Sequence, residues 1–531
     1  MHIAFDGGCF QQGLLAGIHQ VACGFLNAAK ASHPDLQVTL VCDSRQGLAG
    51  QAALDGLTWQ PQVVYAPVAR SYDEPAPWPG ADDPGLRFFV DGRIVRPELD
   101  GGTARYAGPA PATAFAIVSR SARPASGDAA GPGPARRLGV RVDHVLLGRG
   151  ARTLRVAGTD RRLSTGFLDG GAARWTDGAG FIPLSLFPPG DGPVTAEVAY
   201  AAQDRYAMDP GPAAQAVLRA QQARRDAERG AALEALSARL RGAGCQAYVA
   251  NHFTPIHLPG MANAAWAYDL IPVLLPQYFH SDAQANFREN LRVFRQAGRV
   301  YAISDTTRND LLANTPVRAD QVITAGIAPS RAFHPRDDAA VRLALHPHGL
   351  RPGGYILAVA TIEPRKNHLR LLHAYLDLRA RLQDCPPLVI VGKPGWDCGQ
   401  VFAFRTENGL EPSVKMLSGV DGDDLACLYS GALFSAYLSV YEGFGLPVVE
   451  AMACGCPVLT SDRSSMAEVA GKAASLVNPY DIPAIAGAMH AMATDGKLRA
   501  ALSQAGRARA RAYTWERSSR IVMDDLAQLA A

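Results

Sequence analysis

Long hydrophobic runs are absent from this chain of 531 residues. No uninterrupted apolar stretch is long enough to cross a bilayer. The first residues, Met1 to Gly7, lack the basic start and extended apolar core of a signal peptide, and they predict a strand that enters a turn. These absences predict a cytoplasmic protein, either soluble or peripheral at the inner face of the plasma membrane.

Regular cysteine spacing is also absent. Nine cysteines are scattered through the chain without the pattern of a disulfide framework, which is typical of a reducing compartment. Cys454 and Cys456 are close in sequence, but no second pair of cysteines or histidines lies near them. The sequence therefore predicts no metal site.

A strong charge of either sign is missing as well. The formal net charge of +3 is too small for a chain of this length to indicate nucleic-acid binding, although it does not oppose contact with an anionic membrane. With 48% hydrophobic and 19% charged residues, the composition is that of a folded globular protein, and its length indicates several domains.

The most informative stretch runs from Tyr441 to Val458. Its pattern predicts a loop that contains Gly443 and Gly445, then a helix that starts near Pro447, and finally a strand, all preceded by the apolar strand Leu433–Val440. A tight glycine loop followed by a helix N-terminus directs backbone N–H groups towards one point. Such an arrangement suits a phosphate or pyrophosphate.

Two carboxylates flank this predicted anion site. Glu442 precedes the loop, and Glu450 follows about one turn into the helix. A carboxylate accepts hydrogen bonds from both hydroxyls of a vicinal diol. The spacing therefore fits a ligand with a sugar at one end and a ribose at the other.

Together with GFGLP and ACGCPV, this Glu pair resembles the E-x7-E signature of retaining glycosyltransferases of family 4. The resemblance implies an α/β protein of the GT-B fold, with two Rossmann-like domains that face a cleft. Two further stretches resemble the same family: the segment Glu363–Asn367, which resembles its diphosphate clamp, and the segment Tyr268–Pro272. Tyr268 stands where the family usually has a histidine that contacts the donor sugar.

The resemblance assigns roles to individual residues. Glu442 would hold hydroxyls of the donor sugar, Glu450 the ribose, and Arg365 and Lys366 the diphosphate, whose growing negative charge fixed cations stabilise. The backbone of Gly443–Gly445 would bind phosphate oxygens. Other candidate donor contacts are Phe444, Leu446, Gly17 and Lys393, and candidate contacts to the acceptor or sugar are Tyr268 and Asp269.

A β-rich region interrupts the predicted α/β pattern and lies outside the resemblance. A hairpin over Arg87–Val95 and strands at Gly139–Leu147, Thr153–Ala157 and Thr195–Tyr200 predict an inserted β-sandwich-like domain over residues 80–205. Its aromatic residues would either fill the sandwich core or form a platform for a glycan; they are Phe88, Phe89, Trp175, Phe181 and Phe187.

The remaining domain boundaries follow from this insertion. Residues 1–66 and 206–337 are predicted to form a discontinuous N-terminal Rossmann-like acceptor domain. Residues 338–515 are predicted to form the nucleotide-sugar-binding domain, and residues 516–531 a C-terminal helix that crosses back to the first domain.

Three polar positions favour a structural role. Ser304 is predicted to cap a helix, Glu468 to be an acid in the first turn of a helix, and the stretch 421–424, with its three aspartates, to form another helix cap with acid in the first turn.

The resemblance predicts a metal-independent enzyme that transfers a sugar with retention at the anomeric carbon. Mannose or rhamnose is the favoured sugar, a GDP-sugar the favoured donor, and the acceptor a glycan or polyprenyl-linked oligosaccharide in bacterial surface polysaccharide synthesis, such as that of O-antigen. Beyond the donor substrate no cofactor is expected, and no nucleic-acid partner. The alternatives are a GT-B phosphorylase, a nucleotide-sugar epimerase and a non-catalytic glycan-binding scaffold.

Overall fold

The computed structural model describes most of the chain beyond residue 226 and shorter segments before it. The described residues are 1–6, 16–43, 54, 57–66, 87–90, 93–95, 98–100, 103–111, 115–118, 141–157, 167–168, 174–176, 179–182, 184–190, 192–201, 227, 229–251, 256–278, 281–420 and 422–531. The chain divides into two compact units: Met1–Ser71, Arg224–Leu270 and Arg288–Ala531 form the first, and Tyr72–Ala223 and Ile271–Phe287 the second.

The first unit contains two parallel sheets. One has seven strands, in the spatial order Val322–Thr324, Arg299–Ala302, Ala262–Ala267, Ala247–Ala250, His2–Asp6, Gln37–Asp43 and Gln62–Ala66. Three of these strands are buried along nearly their whole length, as expected for a parallel sheet with both faces covered. Helices associated with this part of the chain are Ala16–Ser32, residues 229–242, and Asp305–Asn314.

The other sheet has six parallel strands, in the spatial order Val414–Leu417, Leu388–Val391, Ile356–Val359, Phe434–Tyr437, Val458–Ser461 and Ser475–Val477. This is the doubly wound order of a Rossmann fold. The helices of this region are Asp338–Leu345, His368–Arg381, Gly399–Glu407, Gly422–Gly431, Leu446–Ala453, Ser464–Ala470, Ile482–Thr494 and Gly496–Ala510. Both sheets with their helices confirm the predicted Rossmann-like pair, while the domain boundaries stay predictions.

The order of the strands in the second sheet reverses between Ile356–Val359 and Phe434–Tyr437: the two strands that follow Ile356–Val359 in the chain lie on one side of it, and Phe434–Tyr437 lies on the other. In open α/β sheets, ligands bind beyond the carboxyl ends of the strands at such a switch point. The predicted clamp Glu363–Asn367 follows the first of these strands, and Glu442 follows the second. Topology therefore brings together the two stretches that the sequence singled out.

The helix Trp515–Ala530 contacts strands Ala247–Ala250 and Ala262–Ala267 of the seven-stranded sheet. Asp525 accepts hydrogen bonds from Arg299 Nε and from the Tyr301 hydroxyl, each at 2.8 Å. The Trp515 indole lies against Gly24, where a Cβ would come within 2.3 Å of the ring. The helix Trp515–Ala530 thus forms a salt bridge and a hydrogen bond with strand Arg299–Ala302 and packs closely against helix Ala16–Ser32.

The second unit is rich in antiparallel strands. One sheet contains Phe167–Leu168, Arg174–Thr176, Arg141–Arg149, Val194–Ala201, Thr103–Gly108 and Glu98–Asp100, with Arg152–Ala157 paired to Arg141–Arg149; the other contains Ala179–Phe181, Phe115–Val118, Arg87–Val90 and Arg93–Val95. Residues of both sheets form one buried cluster that includes Phe88 and Phe187. Phe88 and Phe187 therefore fill the core of this unit, as one of the two interpretations from sequence expected. The side chains of Phe89, Trp175 and Phe181 lie outside the part of the chain that the structure describes. Helix Ile271–Leu274 and the start of helix Ser281–Gln296 also belong to this unit.

No helix in the described part of the chain is both long and apolar enough to span a membrane.

We expect Asp525→Asn to lower the free energy of unfolding by about 1–3 kcal/mol, because the change removes a charged acceptor from Arg299 and from the buried Tyr301 hydroxyl. Asp524→Asn, at the exposed neighbouring position of the same helix, is the matched control. Thermal and urea unfolding of the purified variants measures both effects. Equal midpoints for the two variants would contradict this role of Asp525.

Candidate functional site

A buried group of charges lies at the switch point of the six-stranded sheet. Lys366 Nζ is 2.6 Å from Oε1 of Glu442, and a terminal nitrogen of Arg365 is 2.7 Å from the same oxygen. The second terminal nitrogen of Arg365 is 2.7 Å from Glu363. Two cations therefore alternate with two carboxylates in one cluster, in which each of the four side chains is at most 15% exposed.

The same Glu442 oxygen accepts two further hydrogen bonds from hydroxyl groups. Tyr437 donates at 2.9 Å and Ser439 at 2.6 Å. The Tyr437 hydroxyl also accepts from Lys366 Nζ at 3.0 Å. Glu442 is thus held in one orientation by two cations and two hydroxyls.

Burial and neighbouring charges act on these groups in opposite directions. Burial works to raise the pKa of Glu442, but Arg365 and Lys366 outweigh it and hold this pKa at about 2. Burial and the nearby Arg365 guanidinium lower the pKa of Lys366 against the pull of Glu442. Burial also raises the pKa of Glu363. Glu442 is therefore an ionised, weakly basic carboxylate.

The glycine loop after Glu442 lies against Tyr268 and Asp269, which directly follow strand Ala262–Ala267 of the seven-stranded sheet. A Cβ on Gly443 would lie 1.9 Å from the Tyr268 carbonyl oxygen and 2.9 Å from Cβ of Asp269. The Gly443 carbonyl accepts hydrogen bonds from Ser304 Oγ at 2.6 Å and from Thr307 Oγ1 at 3.2 Å. Only glycine fits here, because the backbones of the two α/β regions come into direct contact.

The rest of the loop starts the helix Leu446–Ala453. Gly445 adopts a left-handed conformation, with φ of 92°, directly before this helix, and Pro447 lies in its first turn. Phe444 is buried and packs edge-on against Tyr513 at 5.4 Å between ring centroids. Leu446 is half-buried. The side chain of Phe444 therefore supports the loop from within the core.

Glu450 occupies a separate buried position on the helix Leu446–Ala453. Burial raises its pKa to about 7, and the neighbouring Tyr429 hydroxyl acts in the opposite direction. The pKa values of the two glutamates of the E-x7-E pattern are thus shifted in opposite directions: that of Glu442 is lowered by its cationic neighbours, and that of Glu450 is raised by burial.

The other predicted site residues have varied surroundings. Lys393 is exposed, and its backbone oxygen accepts a hydrogen bond from Ile362 N at 2.9 Å. Gly17 lies in the first turn of helix Ala16–Ser32. Tyr268 and Asp269 lie against Gly443. The structure therefore brings these last two into contact with the glycine loop.

Sequence analysis did not identify several side chains that hold Glu442. Besides Tyr437 and Ser439, Ser464 Oγ accepts a hydrogen bond from the Glu442 backbone N–H at 3.2 Å, and Ser465 Oγ donates to the Glu442 carbonyl at 2.8 Å. The sequence did carry a signal for Tyr437 and Ser439. Polar residues recur at every second position where the buried strand Phe434–Tyr437 ends.

Two structural predictions can be compared with the geometry. Ser304 is the predicted helix cap, since its side chain accepts a hydrogen bond from Thr307 N. The prediction for Glu468 was wrong: this residue is the fifth of helix Ser464–Ala470, outside its first turn. Its carboxylate instead accepts from the backbone N–H groups of Asp305 at 2.9 Å and Thr306 at 2.8 Å. It caps a distant helix because tertiary packing brings that helix N-terminus to it.

The acidic stretch near residue 422 begins a helix, as predicted. Asp423 and Asp424 lie in the first turn of helix Gly422–Gly431, while residue 421 lies outside the described part. Within the described ranges, no three metal-ligating side chains are grouped together.

Residues 350–509 match a protein-family model described as Glycosyl transferases group 1. This match confirms the resemblance to glycosyltransferases for the region that carries Lys366, Glu442 and Glu450.

Curated relatives extend the similarity. The chain is 31% identical over 250 residues to the O-antigen chain mannosyltransferase B of Escherichia coli, covering 47% of this chain and 66% of the relative. It is also 31% identical over 279 residues to the serotype-specific mannosyltransferase WbdA of Escherichia coli, covering 50% of this chain and 34% of the relative. The chain thus spans less than two thirds of the length of either relative.

A solved structure of sucrose-phosphate synthase from Thermosynechococcus elongatus aligns with 56% of this chain and 77% of its own, at 21% identity and a TM-score of 0.48.

We expect Gly443→Ala to destabilise the protein strongly, because its methyl group would overlap the Tyr268 carbonyl and force the glycine loop to move. Gly487→Ala is the matched control, since that helical position has no atom within 4 Å of the new Cβ. The control should stabilise by up to about 1 kcal/mol through helix propensity. Thermal unfolding of both variants measures the contrast, and an unchanged midpoint for Gly443→Ala would contradict the close approach.

Proposed function

We propose that this chain transfers a mannosyl residue from a nucleotide diphosphate mannose to a hydroxyl of a glycan acceptor in bacterial polysaccharide synthesis. The observation that carries this proposal is the buried group of Lys366, Arg365 and Glu442 at the switch point of a Rossmann sheet. It lies inside the region that matches the glycosyltransferase family, and the curated relatives of that region are named as mannosyltransferases.

Lys366 is the group best placed to act on the leaving diphosphate. Its ammonium contacts Glu442 and Tyr437. These contacts use two of its three N–H donors and leave one for a phosphate oxygen. When the bond between the anomeric carbon and the diphosphate breaks, the bonding electrons pass to the leaving oxygen. A cation fixed there lowers the barrier because it stabilises charge that develops in the transition state.

Arg365 acts on the same charge less directly. Its terminal nitrogens contact Glu363 and Glu442, and one also donates to the Tyr441 carbonyl at 2.9 Å. In this arrangement Arg365 neutralises the carboxylates that flank Lys366. It thereby keeps the site from repelling an anionic donor.

Glu442 is suited to bind donor-sugar hydroxyls and poorly suited to attack the anomeric carbon. One of its oxygens is engaged by four groups, and its pKa of about 2 marks a weak base. Retention then proceeds without a covalent glycosyl-enzyme. The acceptor hydroxyl attacks from the side of the departing diphosphate and gives its proton to a leaving phosphate oxygen. No protein side chain gains or loses a proton in this step.

The remaining parts of the proposal come from sequence. Glu450 binds the ribose, a GDP-sugar is the donor, and no metal ion is required. The acceptor is a glycan or polyprenyl-linked oligosaccharide, and the protein is peripheral at the inner face of the membrane, which its formal charge of +3 does not oppose.

Lys366→Ala should lower the rate of mannose transfer by roughly 10²–10³-fold, the scale for removing one group that stabilises transition-state charge. The control is Lys472→Ala, which removes an exposed lysine of the same α/β region. Initial rates with radiolabelled GDP-mannose and a mannan acceptor measure the effect. Wild-type turnover in Lys366→Ala would remove its assignment to the diphosphate.

Donor affinity should rise between pH 6 and pH 8. Glu450 has a pKa of about 7 in the free protein, so a higher pH produces the carboxylate that accepts both ribose hydroxyls. The dissociation constant should fall with a slope of at most about tenfold per pH unit, and Glu450→Gln should abolish that slope.

Calorimetric titration with GDP-mannose measures this dependence, and UDP-, dTDP- and ADP-sugars test the choice of base. Glu407→Gln, at an exposed position of helix Gly399–Glu407, is the control. A slope that persists in Glu450→Gln would assign it to another group and reject the ribose contact.

A further inference from the structure

One serine beside the site has an unfavourable backbone conformation. Among the described residues, three that are not glycine have a positive φ: Asn367 at 65°, Asp397 at 50° and Ser464 at 48°. Asparagine and aspartate tolerate the left-handed region because their short side chains bond locally, whereas serine has less such compensation. Left-handed residues of this kind persist where their surroundings enforce them, often at functional sites.

Ser464 and the next residue, Ser465, both form hydrogen bonds with the backbone of Glu442. Ser464 Oγ accepts a hydrogen bond from Glu442 N at 3.2 Å, and Oγ of the fully buried Ser465 donates to Glu442 O at 2.8 Å. Both polar groups of the Glu442 backbone are therefore satisfied by consecutive serines of another element, the helix Ser464–Ala470.

We propose that Ser464 is a positioning residue for Glu442, and that its left-handed backbone is retained for this purpose. Successive side chains on a regular helix diverge by about 100° around its axis. The left-handed turn at Ser464 redirects its side chain, so that two neighbouring hydroxyls reach the N–H and the C=O of one residue. This inference rests on the proposed function, because the position of Glu442 matters for transfer.

The flanking contacts explain why the position of the Glu442 backbone matters. Tyr441, before Glu442, donates its hydroxyl to both carboxylate oxygens of Asp310 at 2.8 Å. Gly443, after it, is held by Ser304 and Thr307. Both neighbours are therefore fixed by the helix Asp305–Asn314 and its cap, while Glu442 itself is fixed by Ser464 and Ser465. A glycine at position 464 would relieve the backbone but leave Glu442 N–H without its acceptor.

Two substitutions at the same position separate positioning from stability. Ser464→Ala removes the hydroxyl and keeps the unfavourable φ, whereas Ser464→Gly removes the hydroxyl and permits that φ freely. Ser464→Gly should therefore unfold at a higher temperature than Ser464→Ala. Both should lower kcat for mannose transfer by about 10- to 100-fold, with a smaller change in donor KM, as expected when the donor sugar is bound but held out of its reactive orientation.

Asp397→Gly is the matched control, because it relieves the same backbone conformation at an exposed position. It should leave kcat unchanged. Two results would overturn the proposal. One is a kcat that falls in proportion to the unfolding temperature across the variants, and the other is a kcat of Ser464→Gly equal to that of the wild type.

Hydrogen exchange provides a readout that does not depend on catalysis. In a peptide that contains Glu442, exchange should be faster in both Ser464 variants than in the wild type, and unchanged in Asp397→Gly. If the wild type transfers no sugar from any donor, the proposed function fails, and this exchange decides the positioning inference alone: unchanged exchange in both Ser464 variants rejects it.

Discussion

The buried charges around Glu442 are the constraint on which the candidate site depends. A carboxylate removed from water is costly unless it is paired and hydrogen-bonded. Here Arg365 and Lys366 supply two positive charges, Glu363 restores neutrality, and two hydroxyls complete the contacts to Glu442. Loss of one member would leave an unpaired charge, so the group is constrained as a unit. An anionic donor that approached it would meet the Lys366 ammonium without displacing the rest.

The glycine loop connects this charged group to the first α/β region. Gly443 lies against the Tyr268 backbone and the Asp269 Cβ, and its carbonyl accepts hydrogen bonds from Ser304 and Thr307. Glu468 accepts hydrogen bonds from the first two backbone N–H groups of the helix Asp305–Asn314, which Ser304 caps. Residues far apart in sequence therefore set the position of the loop jointly. A change in how these regions pack would move the loop and, with it, the backbone on either side of Glu442.

Prediction from sequence succeeded where chemistry was encoded locally. Gly443, Gly445 and Pro447 defined a loop and a helix start within a few residues, and the structure has both. The spacing of Glu442 and Glu450 and the stretch around Lys366 predict a donor site, and their roles in it stay a prediction. Prediction failed for Glu468, which appears from its local sequence to be an ordinary helical acid. Its partners are more than 160 residues away, so no local pattern carries that information.

The sequence by itself determined the alternation of strands and helices and the glycine loop that leads into a helix, because turn preferences and hydrophobic periodicity act over short distances. Tertiary structure alone decided that Lys366 contacts Glu442, since the two residues meet only when their strands become neighbours in the sheet. It also decided the different ionisation of Glu442 and Glu450. The pKa of a carboxylate depends on burial and on charges within a few ångströms, and both are set by packing.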